Sequence, residues 1–138
     1  MSGHVIDDST FRLLLELETK KAQRLGYPVA VVCLSVDESS AVPETLAQMA
    51  ASTIRATDSV AWHDSHSVVL LLIDASTDNL PVIVRRLTST LDIAWSAGAA
   101  SYPDSGVAAE RLMDQASMMQ ERAKQDGGRR LYVAPRMT

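Results

Sequence analysis

The chain has 138 residues, 46% hydrophobic and 22% charged, with a net charge of −4 at pH 7. Residues 1–138 are therefore read as one globular domain with a real core, too short for two. The acidic balance excludes the broad basic footprint of a nucleic-acid binder, and Arg129, Arg130 and Arg136 read as a solvated end. No apolar run reaches membrane-spanning length and residues 1–10 carry no signal-peptide apolar region, which reads as a cytoplasmic protein.

In chain order, Asp8, Ser9 or Thr10 is expected to cap a first helix running to about Leu25, with Gly26 just past its end and Pro28 as a stop. Val29–Val36 is a continuous β-branched run, as in a central strand covered on both faces. Its Cys33 is the single cysteine and reads as a small core residue, with neither a disulfide partner nor the setting of a nucleophile. Ser39, Ser40 and Pro43 open a second helix with Leu46, Met49, Ala50, Thr53 and Ile54 on one face.

A hairpin follows: a strand at about Asp58–His63, a polar turn of Asp64, Ser65, His66 and Ser67, and an apolar strand Val68–Ile73. Ser76 or Thr77 then caps a third helix with Leu80, Ile83, Val84, Leu87 and Leu91 at helical spacing and Pro81 in its first turn. A strand at about Ile93–Ser101 precedes a last helix, about Val107–Gln125, with Ala109, Leu112, Met113, Ala116, Met119 and Ala123 on one stripe. Gly127-Gly128 ends that helix, and Leu131–Val133 makes a short final strand. The fold class is α+β. Its centre is a ferredoxin-like βαββαβ core, an antiparallel sheet with helices on one face, to which an N-terminal helix and a C-terminal helix and strand are added.

Four motifs stand on these elements in order. They are Arg55-x-x-Asp58, the hairpin tip five residues later, Ser96-Ala97-Gly98-Ala99-Ala100 leading to Tyr102-Pro103, and Ala123-Lys124-x-x-Gly127. Over essentially the whole chain they resemble the GGDEF family, the diguanylate cyclase domain that makes cyclic di-GMP in bacterial signalling, whose palm-like fold has the same element order. The resemblance also marks departures. The hairpin signature reads Asp64-Ser65-His66-Ser67-Val68 where the family has Gly-Gly-Asp-Glu-Phe. Ser35 stands where a metal-binding Asp is expected, in Ser35-Val36-Asp37-Glu38-Ser39, and Ser67 stands for the second carboxylate. The family's guanine-reading stretch between first core strand and next helix is missing. Lys124 keeps the triphosphate-contacting lysine, whereas Gly128 replaces the arginine four residues on, with Arg129 adjacent.

Phosphoryl transfer between two GTP molecules depends on Mg²⁺ held by carboxylates. The resemblance and its gaps together therefore imply a degenerate GGDEF-like domain that is not an enzyme, with no catalytic residues, metal or cofactor. What the resemblance implies as retained is the inhibitory-type site. Arg55, Asp58 and Arg86 would bind cyclic di-GMP, the guanidinium forks meeting guanine O6/N7 edges and phosphates and the carboxylate accepting from guanine N–H groups. Arg85, one position before, would point elsewhere.

The alternative is a nucleotide-independent interaction or dimerisation module. Phe11, Leu13, Leu14, Leu15 and Leu17 crowd the first helix, more than one buried face can take, and suggest a protein partner or homodimer there. His63, Asp64 and His66 read as turn polarity, Met49, Met113, Met118 and Met119 as core filler, and Trp62 and Trp95 as core or sheet-face residues.

Overall fold

Asp7 opens the first long element: its Oδ1 accepts from the Thr10 amide at 2.7 Å, tying down an amide of the first turn. The expected caps Asp8, Ser9 and Thr10 thus lie inside the helix, and the residue before them takes the role. Gly26, at φ 79°, closes the other end in the left-handed conformation. The computed structural model describes residues 3–36 and 43–137. In chain order it contains β1 (His4–Ile6), α1 (Asp8–Leu25), β2 (Val29–Val36), α2 (Pro43–Thr53), β3 (Ser59–Asp64), β4 (Ser67–Ile73), a 3₁₀ turn (Thr77–Asn79), α3 (Leu80–Thr88), β5 (Trp95–Tyr102), α4 (Ala109–Gln125) and β6 (Leu131–Val133). The α+β fold and the βαββαβ centre stand as the sequence predicts. The expected helix openers Ser39 and Ser40, and Asp37 and Glu38 before them, lie outside the described residues.

One six-stranded sheet has the order β1-β3-β4-β2-β5-β6. β2 runs antiparallel to β4 and β5, and β3 pairs antiparallel with β4. The outer pairs β1–β3 and β5–β6 are parallel, so the sheet is mixed and not antiparallel throughout. β1 escapes sequence reading because three residues carry no usable periodicity.

Side-chain alternation along β2 and β4 divides the core in two. Ala30, Val32 and Leu34 with Val68, Leu70 and Leu72 face α2 and α3, packing on Leu46, Ala50, Ile54, Val84 and Leu87. Val29, Val31 and Cys33 with Val69 and Leu71 face α1 and α4, packing on Phe11, Leu15, Leu112, Met113 and Met119. Helices therefore cover both faces, not one alone: α2 and α3 of the βαββαβ unit share one, and the added α1 and α4 share the other. Gly98 sets how closely α4 approaches, because a Cβ there would collide with the backbone of Ala116 and Gln120. Met118 is 61% exposed, and so is not core filler, and Trp62 is 46% exposed at the β3 side of the sheet.

Candidate functional site

After α2 the chain buries Ile54 and turns sharply through Arg55–Asp58. The spacing of the motif is the spacing of this turn. The Asp58 amide donates to the Arg55 carbonyl at 2.9 Å, and the Asp58 carboxylate answers by accepting from the Arg55 amide at 3.1 Å. Its Oδ2 also takes the Arg55 Nε at 3.4 Å, while Oδ1 accepts from the Ile73 amide at 2.9 Å, at the end of β4. The Arg55 guanidinium in turn donates to the Ile73 carbonyl. One buried carboxylate thus joins the end of α2, the start of β3 and the end of β4. The Asp58 side chain is 4% exposed and that of Arg55 60%. The arginine is held at its Nε and at one outer nitrogen, and its side chain stays largely open to solvent.

Arg55 and Asp58 border a cavity of about 360 Å³ between the α2 end, the β4 end and α3. Arg86, exposed on α3, also lines this cavity, so all three residues singled out from sequence border it. Arg85 is exposed but is not part of the lining. Leu72 and Ile83 give the floor an apolar character, and the volume suits a small-molecule ligand. Asp58 is tied into the fold itself. Its oxygens are taken up by the turn, so it positions Arg55 and has little surface left for a base.

Two lining residues were not anticipated, Asp74 and Asn79. Asp74 leaves β4 in the left-handed conformation (φ 56°). Asn79 Oδ1 accepts from the Ser76 amide and hydroxyl at 3.1 and 2.9 Å, ordering the segment that leads into α3. The available signal was the run Asp74-Ala75-Ser76-Thr77-Asp78-Asn79, rich in residues that tolerate left-handed backbone and bind their own main chain.

The opposite end of the sheet holds the positions of the family's metal and triphosphate residues. Ser35 pairs with Ser67 across β2 and β4 and with Ser96 across β2 and β5. Gln120 of α4 donates to the Ser35 hydroxyl. A cavity of about 340 Å³ there is lined by Ser35, Ser96, Lys124, Gly127 and Gly128. At the hairpin tip Asp64 accepts from the His66 amide at 2.8 Å. Burial raises its pKa, but this hydrogen bond and the neighbouring His63 and His66 bring the carboxyl below its ordinary value. Among the described residues no group of three His, Cys, Asp or Glu is placed to hold a metal ion. The Cys33 thiol is pushed up to about 12, chiefly by burial.

On α1, Leu13 and Leu17 are 58% and 52% exposed, whereas Phe11 and Leu15 are buried and Leu14 is half-buried against the core. Phe11 is therefore removed from the expected contact surface. No helix among the described residues is long and apolar enough to cross a membrane.

No family model and no curated protein sequence matches the chain. Solved structures do match its fold. The GGDEF domain of YfiN (TpbB) from Pseudomonas aeruginosa superposes with a TM-score of 0.86 at 17% identity, over 94% of this chain and 90% of that one. The active GGEEF domain of a diguanylate cyclase from Vibrio cholerae gives 0.84 at 12% identity, over 95% of this chain and 98% of that one. The GGDEF domain of DgcB from Caulobacter crescentus, solved in complex with cyclic di-GMP, gives 0.77 at 13% identity, over 94% and 88%. In fold the chain is a GGDEF-like domain. These likenesses also correct one expectation, that the chain is not an enzyme. Its fold is shared with diguanylate cyclase domains, one of them active, and the serines at positions 35 and 67 are no positive evidence of inactivity.

Proposed function

We propose that this chain is a cytoplasmic GGDEF-like regulatory domain that binds cyclic di-GMP in the cavity formed by Arg55, Asp58 and Arg86. The observation that carries the reading is that Arg55 and Asp58, after α2, border one cavity with Arg86 of α3, far along the sequence, and that Asp58 holds the Arg55 side chain. Arg55 and Arg86 present outer guanidinium nitrogens to guanine O6/N7 edges or phosphate oxygens, and Asp58 holds Arg55 in place. Cyclic di-GMP bound to a domain of the same fold, that of DgcB, adds support.

The test is isothermal calorimetry with cyclic di-GMP on the full chain. Arg55→Ala removes a charge-assisted contact and weakens binding about 10- to 150-fold. Arg85→Ala is the internal control and binds as wild type does. Equal binding by wild type and Arg55→Ala, or no heat from wild type, overturns the reading.

A second reading, an interaction module, is favoured by the exposure of Leu13 and Leu17 on one helix. Light scattering over a concentration series should then show self-association that Leu13→Glu and Leu17→Glu abolish. A wild-type chain that stays monomeric throughout removes the homodimer.

A further inference from the structure

We infer that Asp74 is the residue that selects guanine over adenine in this cavity, by accepting from the base's N1–H and 2-amino groups; the inference rests on the cavity's being a purine-nucleotide site as proposed above. Guanine presents two kinds of edge: O6 and N7 accept, while N1 and the 2-amino group donate. Arginine forks satisfy the accepting edge. The donating edge needs an acceptor, and a carboxylate, which only accepts when ionised, is the strongest one.

Asp58 is poorly placed for this task. Its Oδ1 takes the Ile73 amide, its Oδ2 takes both the Arg55 amide and Nε, and its side chain is 4% exposed. Asp74 is exposed and lines the same cavity. Among the described residues no hydrogen bond or ion pair engages its carboxylate. It also lies next to the fork: the Arg55 guanidinium donates to the carbonyl of Ile73, one peptide bond away. Donor fork and unengaged acceptor therefore both border the cavity at the end of β4.

Adenine fits this pair badly. Its N1 is an acceptor and would face the carboxylate lone pairs, and it lacks the 2-amino group. Mispairing of polar groups on a desolvated edge is a strong source of discrimination. Asp74 also borders a neighbouring hollow lined by Glu18, Lys21, Tyr27 and Thr57, which supplies a control.

The experiment is calorimetry of the full chain with cyclic di-GMP and cyclic di-AMP, using Asp74→Asn and Asp74→Gly. Both replacements suit a backbone at φ 56°, so the loop is kept, and a thermal melt checks the fold. Wild type is expected to prefer the guanine ligand. Asp74→Gly should lose about 10- to 150-fold in affinity for cyclic di-GMP, and Asp74→Asn less, since one acceptor remains. Affinity for cyclic di-AMP should hold or rise, so the preference collapses, and Lys21→Ala should change neither. If Arg55→Ala weakens cyclic di-GMP binding while both Asp74 variants bind as wild type does, the inference falls and the cavity reading stands. If Lys21→Ala reproduces the Asp74 effect, Asp74 acts from the neighbouring hollow and the inference falls. Absence of binding by wild type brings down both.

Discussion

The two ends of the sheet are held by different means. At the Arg55 end, loops are tied by side chains to backbone: one buried carboxylate serves three segments, and Asn79 orders the approach to α3. At the hairpin end, β2 is held by its two ladders, in which Ser35 faces Ser67 and Ser96 in continuous register, although the β3–β4 register shifts between Trp62 and Asp64. The difference bears on which end can change its side chains without moving its backbone. A ladder of main-chain hydrogen bonds is indifferent to which side chains it carries; a turn built on a carboxylate is not.

The sharpest way to break this contrast is Asp58→Ala. It removes a buried carboxylate and leaves two part-buried amides and the Arg55 Nε without their acceptor, so the chain should lose about 3 kcal/mol of stability in urea unfolding. A loss below about 1 kcal/mol would mean that water replaces the carboxylate and that the turn needs no tie. At the other end, Ser35→Ala removes an acceptor for Gln120 and a donor to Ser96, and should cost about 1 kcal/mol in the same measurement. If Ser35→Ala costs as much as Asp58→Ala, the two ends are not held differently.

The smallest effect concerns acid. The Asp64 carboxyl titrates below its ordinary value when folded, so its stabilising contribution is complete above the unfolded pKa of about 4 and is lost as pH falls through the lower folded value. Asp64→Asn should lose that contribution at neutral pH and flatten the fall in stability below about pH 4, so that the two profiles converge in acid. An unchanged acid profile would show that the hairpin tip is not coupled to this charge.

Much of the fold was legible because its signals are local. The Val29–Val36 run, the Gly26 stop and the spacing of Leu80, Val84 and Leu87 each state an element within a few residues. β1 was not legible, since His4–Ile6 becomes a strand only by pairing with residues 59–61. The site was half legible. Arg55, Asp58 and Arg86 reach one cavity because the βαββαβ topology brings the end of α2 beside α3. The role of Asp58 was hidden, because its chief partner at Ile73 lies fifteen residues on in another strand. Asp74 was hidden for a related reason: its place in the lining follows from how the chain leaves β4. The mixed use of α1, with Phe11 buried and Leu13 exposed, depended on α4 taking a share of the same sheet face.

The position of β4 bears on aggregation. Its segment Ser67–Ile73 carries no charge and no proline and is mostly β-branched or leucine, the composition that stacks readily into cross-β assemblies. In the folded chain it lies between β3 and β2, with every strand partner already supplied, while the sheet's outer margins are the three-residue strands β1 and β6. Such short margins offer an incoming chain little to pair with. Aggregation of this protein should therefore track how often the hairpin opens, and conditions that leave the native state intact should keep it in solution even when concentrated.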